Sequence, residues 1–379
     1  MSHIKLLIGA DLVPTKSNEM LFFSANLDEL LGKMLIETLA SAEYRVFNLE
    51  VPLTDQSTPI DKCGPCLNAL PKVIHGIKAM GIDMFTLANN HIMDQGEQGL
   101  VSTIRVLCEN RINFVGAGSN LNDVAKTMIL HLGEKYFGIL ACAEHEFSIA
   151  KNNKPGANPF DPLETPDQVS ALKSQCDFVV VLYHGGKEHY RYPSPSLQKT
   201  CRKLVEKGAD LIITQHSHCV GCMEEYQNGT IIYGQGNFLF DDNDNEFWNT
   251  SILVAVSDSL KIDYIPLVKH GNGVRLAEGM DAEQILQSFY ERSEAIQQQG
   301  FLESEYQKFA DNFLEHYLLY LSGINRRSVL FRILNRLTAR KWQTWILARK
   351  YKKETRLAIQ NYVECEAHRE LLLKGISHR

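Results

Sequence analysis

At 379 residues, the chain is long enough for one large domain and a smaller second unit, because single hydrophobic cores rarely grow beyond roughly 250 to 300 residues. Hydrophobic residues make up 44% and charged residues 22%, which excludes wholesale disorder, and a net charge of −6 predicts no general attraction to nucleic acid. The short N-terminal apolar run before Gly9 and the nine scattered cysteines predict no signal peptide and reduced thiols, and thus a cytoplasmic protein.

The predicted elements alternate between short β-branched runs and amphipathic stretches, which indicates βαβ units and an α/β fold with a largely parallel sheet. The predicted strands are residues 4–8, 44–49, 83–87, 113–115, 136–141, 177–183, 210–214, 230–233 and 251–256. The predicted helices are residues 71–80, 97–109, 167–174 and 196–207. Beyond residue 272 the strand pattern ends, so we predict a main domain over residues 1–272 and a helical C-terminal region over residues 273–379.

The helical C-terminal region contains a basic stretch from Arg326 to Arg356, interleaved with apolar residues such as Phe331, Trp342 and Trp345. We favour the interpretation that these helices pack an apolar face on the main domain and leave their charges in solvent. A peripheral contact with a membrane surface, a protein or a polyanion is the alternative.

Polar side chains cluster at or just beyond the carboxyl ends of the predicted strands. Because the loops at this edge of an open α/β sheet line the ligand crevice, residues far apart in the sequence are expected to meet there. The residues concerned are Asp11, Asn48, Glu50, Asn89, Asn90, His91, His184, His216, His218 and Asn237.

This set combines carboxylate and amide oxygens with imidazole nitrogens. A divalent metal that activates water for attack on phosphorus needs such donors around an open coordination position. Each residue alone is a weak signal, since an aspartate after a strand is usually a turn or cap residue. Their joint occurrence at consecutive strand ends, with His216 and His218 two residues apart, predicts a metal site.

The motifs around these residues resemble the CapA family, named for capsule and poly-γ-glutamate synthesis and similar to the calcineurin-like metallophosphoesterases. The resemblance extends over residues 4–270 and implies layered sheets flanked by helices. It rests on the segments GAD (9–11), FNLEVPLT (47–54), TLANNHIMDQGEQGL (86–100), VGAG (115–118), LYHGGKE (182–188), GADLIITQHSHCVG (208–221) and YGQGNFLFD (233–241).

The resemblance also implies a role for each site residue and one or two divalent ions (Mn, Fe or Zn). Asp11 and His218 would bind one metal and Glu50 would bridge to a second, which Asn90, His184 and His216 would hold. His91 would lie near the substrate oxygen as the catalytic residue, with Asp94 orienting its imidazole. The substrate-binding candidates are Asn48, Asn89, Glu188 and Asn237.

The chain departs from the wider phosphoesterase pattern at its first motif. That pattern begins Asp-x-His, whereas Leu12 and Val13 follow Asp11 here. The first metal would therefore lack the nitrogen ligand that the histidine of this motif supplies, which leaves a single-metal or exchangeable site open.

Three further motifs suggest other chemistry, and their context argues against it. Cys63-Gly64-Pro65-Cys66 has the sequence of a thioredoxin redox motif but follows a polar loop, so we predict a substrate-facing or structural loop. Cys219 and Cys222 lack a second ligand pair for zinc and are predicted to be buried thiols. The VGAG segment lacks the third glycine of a dinucleotide-binding fingerprint.

Three functions follow. The leading hypothesis is an enzyme, a metal-dependent hydrolase of a phosphoester in a phosphorylated or polymeric saccharide-type substrate, linked to capsule or surface-polymer synthesis. A metal-dependent amide hydrolase acting on a γ-glutamyl-type polymer is the second. A non-catalytic polymer-assembly protein with a relic metal site is the third.

Overall fold

The computed structural model describes residues 4–240, 245–324, 329–338 and 341–376. Its strands, numbered β1 to β16 in chain order, are Ile4–Leu12, Ala42–Leu49, Met84–Thr86, Asn113–Val115, Ala117–Gly118, Met128–Leu132, Lys135–Ala143, Gly156–Ala157, Phe178–His184, Leu211–Gln215, Val220–Tyr226, Gly229–Gln235, Asn237–Leu239, Thr250–Ser257, Ile262–His270 and Gly273–Leu276.

Its helices, numbered α1 to α14, are Glu19–Phe23, Leu27–Leu30, Lys33–Ala40, Ile74–Ala79, Gly96–Glu109, Leu121–Val124, Glu164–Lys173, Pro195–Glu206, Gly279–Ala295, Phe301–Leu321, Val329–Leu337, Lys341–Lys350, Lys353–Glu364 and Glu366–Ile376. Two short 3₁₀ helices cover Pro71–Val73 and Glu246–Asn249. No helix in the described ranges is both long enough and apolar enough to cross a membrane.

Two principal sheets replace the single, largely parallel sheet that the alternating pattern predicts. The larger has the order β16-β15-β14-β1-β2-β3-β4 with β13 also beside β1, and the smaller has the order β11-β12-β10-β9-β7-β6. The larger sheet is parallel from β1 to β4 and antiparallel from β1 to β16. The smaller has a parallel centre and one antiparallel pair at each edge. The prediction missed β6, β11, β13, β15 and β16 of these sheets. Strands β13 and β16 are only three and four residues long, and the apolar runs of the other three are broken by polar residues.

The two sheets pack face to face, and alternate residues of their strands point to opposite sides. In β1, Leu6 and Ile8 enter the core shared by the two sheets, whereas Leu7 faces the helical side. In β9, Val180 belongs to the shared core and Val181 to the cluster with α8. The result is the layered α/β arrangement with flanking helices that the sequence predicts, since each sheet needs both faces covered.

The first compact unit continues to Leu302, beyond the boundary predicted at residue 272. Strand β16 begins at Gly273, and α9 then packs on the sheets through the fully buried ring of Phe289. Helical periodicity alone does not reveal which unit a helix covers, whereas the packing of Phe289 does.

The second unit covers the chain after Leu302 and is helical wherever it is described. It has an apolar cluster of its own, formed by the buried side chains Leu318, Leu319, Phe331, Leu347 and Tyr351. The helical C-terminal region is therefore confirmed, with a small core that its own helices supply.

Candidate metal centre

The strand ends bring the predicted ligands to one edge of the two sheets. In the larger sheet, Asp11 of β1 is the register partner of Asn48 in β2 and of Asn237 in β13. In the smaller sheet, His184 ends β9 beside Gln215, which ends β10. Parallel pairing places these carboxyl ends side by side, as the position of the polar residues predicts.

Four donor atoms meet at the imidazole of His184. Its Nε2 atom lies 3.2 Å from a carboxylate oxygen of Glu50, 3.0 Å from Oδ1 of Asn90 and 3.1 Å from Nδ1 of His216. On the opposite side of the ring, the side-chain amide of Asn48 lies 3.2 Å from Nδ1, and Nε2 faces the cluster. These are the residues that the resemblance assigns to the second metal.

A second group of donors surrounds Asp11. Its Oδ2 atom lies 3.6 Å from Nδ1 of His218, and the two residues form with Glu50 a buried trio whose donor atoms are all within 4.8 Å of one another. Glu50 also belongs to the trio with His184 and His216. Glu50 thus lies between both groups, as a bridging ligand would.

Several buried oxygens of the site have no hydrogen-bond partner among the described residues. They are Oδ2 of Asp11 and both carboxylate oxygens of Glu50, and both residues are fully buried. Buried carboxylates are ordinarily hydrogen-bonded, paired or bound to a metal, because their desolvation is costly. Buried carboxylate oxygens without hydrogen bonds, beside amide oxygens and imidazole nitrogens, fit a divalent metal.

The electrostatics of the cluster follow from burial and from the two neighbouring carboxylates. Burial raises the pKa of Asp11 to about 7, and the nearby charge of Glu50 acts in the same direction. Burial also opposes ionisation of Glu50, but the surrounding imidazoles of His184 and His218 outweigh it and lower its pKa. For His216, burial and the neighbouring imidazoles hold the pKa well below the usual value, so its nitrogen is available as a ligand.

The backbone after β10 is strained where the two histidines are presented. His216 has φ of 82° and His218 has φ of 54°, a left-handed region that residues with a Cβ seldom occupy. The side chain of Gln215 anchors the start of this turn through a bond to the carbonyl of Gly9 at 3.1 Å. Such strain is typical of functional loops whose surroundings enforce the conformation.

The residues predicted to be catalytic form a pair. Nδ1 of His91 lies 2.5 Å from Oδ2 of Asp94, which is fully buried, and His91 follows the candidate ligand Asn90 directly. The carboxylate thus holds Nδ1 of the ring and leaves Nε2 for proton transfer.

The predicted substrate-binding residues divide into two groups. Asn48 and Asn89 are fully buried, and Asn48 donates to Asp11 at 2.8 Å while it accepts from Asn89 at 3.0 Å. These two amides therefore orient the ligands from behind and are not open to a substrate. Glu188 is partly exposed, and one of its carboxylate oxygens lies 3.9 Å from His216. Oδ1 of Asn237 lies 2.9 Å from Nδ1 of His218.

Sequence reasoning missed three residues that contact the site. Lys62 pairs with Asp94 through a side chain that is only 3% exposed, and Glu146 lies 3.8 Å from His216. The ring of Trp248 is 4.9 Å from that of His218. None follows a predicted strand directly or belongs to a recurrent motif, so only long-range packing identifies them.

The cysteines are all free thiols. Cys219 and Cys222 are buried as predicted and belong to none of the candidate metal groups among the described residues. Cys63 is exposed and Cys66 is partly exposed. Both lie in the same loop as Lys62, which contacts the site.

Comparisons with known proteins show which family the chain is similar to. A family model described as "Bacterial capsule synthesis protein PGA_cap" matches residues 10–242. The chain is 27% identical over 229 residues to "Capsule biosynthesis protein CapA" of Bacillus anthracis, covering 58% of this chain and 56% of that protein. It is 30% identical over 239 residues to "PGA biosynthesis protein CapA" of Bacillus subtilis strain 168, covering 62% and 60%.

The matches therefore span little more than half the length of these two relatives. Among solved structures, a novel phosphatase from Mycoplasma pneumoniae aligns with a TM-score of 0.43 at 14% identity, covering 76% of this chain and 98% of that one.

Proposed function

Because the chain belongs to the bacterial capsule synthesis protein family PGA_cap, we propose that it is a divalent-metal-dependent phosphoester hydrolase serving the synthesis of a capsule or other surface polymer. One observation supports the proposal: Oδ2 of Asp11 and both carboxylate oxygens of Glu50 are buried without a hydrogen bond beside three histidines at the edge of both sheets. Hydrolysis of a phosphoester uses this combination of hard oxygen and neutral nitrogen donors.

The residues that would hold the metal fall into the two groups described above. Asp11 and His218 would hold one ion, Asn90, His184 and His216 the other, with Glu50 shared. A bound divalent ion, Mn²⁺ in the first instance, supplies a Lewis acid for the phosphoryl oxygen and makes water a better nucleophile. Val13 is buried and apolar at the position where a histidine would complete the first group, so we expect that ion to exchange more readily.

The protein's own contribution to the reaction would come from His91 and Asp94. The carboxylate of Asp94 holds Nδ1 of the imidazole, so Nε2 is the atom that would give a proton to the leaving oxygen. Glu188 and Asn237 line the same group of histidines and would contact the phosphorylated or saccharide portion of the substrate.

The test measures turnover of the full chain with added Mn²⁺. The substrates are 4-nitrophenyl phosphate, bis(4-nitrophenyl) phosphate and γ-glutamyl 4-nitroanilide. The proposal is supported if the wild type hydrolyses a phosphoester and if the kcat of this reaction falls by a factor of roughly 10² to 10⁴ in His91→Gln. His131→Gln, an exposed histidine of edge strand β6, is the matched control and should retain full activity.

Two alternatives give different results in the same experiment. Activity confined to the γ-glutamyl amide would replace the phosphoesterase by an amide hydrolase, because the same donors can activate water for attack on a carbonyl carbon. Uptake of Mn²⁺ without turnover of any substrate would favour a non-catalytic polymer-assembly protein. The names of the two Bacillus relatives mention biosynthesis and are compatible with all three functions.

We also propose that the protein works in the cytoplasm. The nine free thiols support this location, since disulfides are rare in cytosolic proteins.

We further propose that its basic C-terminal helices contact an anionic membrane surface. In α11, the exposed side chains Ile333 and Leu337 alternate with the exposed cations Arg332 and Arg336. Cations interleaved with exposed apolar side chains complement a negatively charged lipid surface.

A further inference from the structure

The segment from Ile60 to Leu67 holds Asp94 at three points. The amide of Ile60 donates to the Asp94 carbonyl at 3.1 Å, Lys62 Nζ donates to Oδ1 at 2.5 Å, and the amide of Leu67 donates to Oδ2 at 2.6 Å. Asp94 is fully buried, so the two contacts to its carboxylate satisfy a charge that water does not reach. We call these three contacts the Asp94 clamp.

The Asp94 clamp acts directly on the candidate site. The same carboxylate that it grips also holds Nδ1 of His91, and Lys62 Nζ lies 3.4 Å from the carbonyl oxygen of Asn90. A displacement of the segment would therefore alter the orientation of His91 and the support of a candidate ligand.

Two thiols lie inside the clamp, each next to one of its contacts. Cys63 follows Lys62 and Cys66 precedes Leu67, with Gly64 and Pro65 between them. Cys66 Sγ donates to the carbonyl of Ile60 at 3.4 Å, so the thiol proton itself helps to close the segment. Two intervening residues are the spacing at which neighbouring cysteines commonly form reversible disulfides.

These two thiols also differ from the buried cysteines. Burial raises the pKa of Cys219 to about 11, and it raises the pKa of Cys142, Cys201 and Cys222 as well. Since the thiolate is the reactive form, oxidation is directed to accessible thiols, and Cys63 is exposed.

We propose that Cys63 and Cys66 are a reversible disulfide site that loosens the Asp94 clamp when it is oxidised. The Cys63 thiolate attacks a low-molecular-weight disulfide such as oxidised glutathione and releases one glutathione thiolate. The Cys66 thiolate then displaces the second, so two protein thiols become one disulfide while one glutathione disulfide is reduced to two thiols.

The oxidation has a direct structural consequence. The Cys66 sulfur loses the proton that it donates to Ile60, and the new bond draws Cys66 toward Cys63. The amide of Leu67, the next residue, is then pulled from Oδ2 of Asp94. Only the effect on turnover rests on the proposed function, because the coupling between thiols and clamp is a property of the segment.

Thermodynamic linkage provides a test that does not need activity. If oxidation weakens the clamp, the clamp must equally disfavour oxidation, because coupling between two sites is reciprocal. The full chain is equilibrated with glutathione buffers of graded oxidised-to-reduced ratio, alkylated, and the peptide with Cys63 and Cys66 is quantified by mass spectrometry. We expect Lys62→Met to reach half oxidation at a ratio about fivefold or more below that of the wild type.

Lys126→Met is the matched control, because it removes an ion pair with Asp123 on an exposed surface and should oxidise as the wild type does. Asp94→Asn keeps the shape of the clamp without its charge and serves if Lys62→Met does not fold. Absence of the disulfide in the wild type at every ratio, or an unchanged ratio in both clamp variants, would overturn the proposal.

Measurements of turnover distinguish a failure of the redox proposal from a failure of the proposed hydrolase function. The Mn²⁺-dependent hydrolysis measured on reduced wild type should fall on oxidation, and Cys63→Ser/Cys66→Ser should be insensitive to the same buffer. No turnover by the reduced protein counts against the hydrolase alone. Turnover that oxidation leaves unchanged, with the disulfide formed, counts against the effect of the clamp on His91.

Discussion

The buried residues of the candidate metal centre differ mainly in which groups replace the water molecules that they lose on burial. Asp94 accepts hydrogen bonds on both carboxylate oxygens, whereas Oδ2 of Asp11 and both oxygens of Glu50 accept none among the described residues. Asn48 spans the two groups, since its amide nitrogen lies 2.8 Å from Asp11 Oδ1 and 3.2 Å from His184 Nδ1. A cation placed between the unpartnered oxygens would remove the main electrostatic cost of burying them.

The first prediction concerns pH. Because the pKa of Asp11 is raised to about 7, its carboxyl keeps a proton below that pH, and a metal has to displace this proton. Affinity for Mn²⁺ should therefore rise with pH up to about 7 and level off above it, with a dissociation constant about tenfold larger at pH 6 than at pH 8. Calorimetric titrations at the two pH values measure it, and equal affinities would contradict the raised pKa.

At the scale of elements, the chain passes from one sheet to the other between β12 and β13. Strand β12 belongs to the smaller sheet and β13 lies beside β1 in the larger. Gly236 makes the transition with φ of +81°, and a Cβ there would lie 2.5 Å from the carbonyl oxygen of Thr250. The next residue, Asn237, contacts His218, so this crossing positions part of the site.

Gly236→Ala should therefore lower the free energy of unfolding by roughly 3 kcal/mol, since it combines an unfavourable φ with a backbone collision. Urea denaturation measures the change. Gly271→Ala is the control, because Gly271 has φ of +56° with nothing within 4 Å of its added Cβ, and it should cost only about 1 kcal/mol. Equal losses in both variants would show that the collision with Thr250 is relieved.

The basic helix α11 gives a second prediction at this scale. The full chain should bind vesicles that contain phosphatidylserine and not vesicles of phosphatidylcholine alone, and added salt should weaken binding. Arg332→Glu/Arg336→Glu should reduce co-sedimentation by roughly tenfold or more, since each basic residue near the surface contributes about 1 kcal/mol.

Lys16→Glu/Lys33→Glu, two lysines with side chains 86% exposed, make the same change of net charge in the first unit and should bind as the wild type. Equal loss in both double variants would mean that net charge, and not α11, drives the attraction.

At the scale of the molecule, the candidate ligands connect the two sheets. Asp11 lies in β1 of the larger sheet and Glu50 directly follows β2, whereas His184 ends a strand of the smaller sheet and His216 follows another. A shared ion would therefore link the sheets at an edge where their common core ends, and any ligand that binds only the folded state stabilises it.

Mn²⁺ at one hundred times its dissociation constant should therefore raise the free energy of unfolding by about 2.7 kcal/mol. Thermal unfolding with Mn²⁺ and with excess chelator measures the difference. His216→Ala should lose the increase, and His131→Ala, which changes an exposed histidine on an edge strand, should keep it. A midpoint that does not respond to Mn²⁺ in the wild type would contradict a metal centre at this edge.

The sequence by itself determined the α/β class and the set of donors, because strand ends and loop residues follow from local patterns of apolar and polar residues. Asp11, Glu50, His184 and His216 could be proposed as neighbours for this reason. The contact between Lys62 and the site could not be predicted from the sequence, since it depends on how the segment around Lys62 folds against Asp94.

Only the tertiary structure decided the strand order of the two principal sheets, that the first unit extends to Leu302, and that Asn48 and Asn89 lie behind the ligands. The physical reason is the same in each case. Local patterns determine which face of a strand is buried, whereas the partner that covers this face is selected by packing between segments distant in the chain.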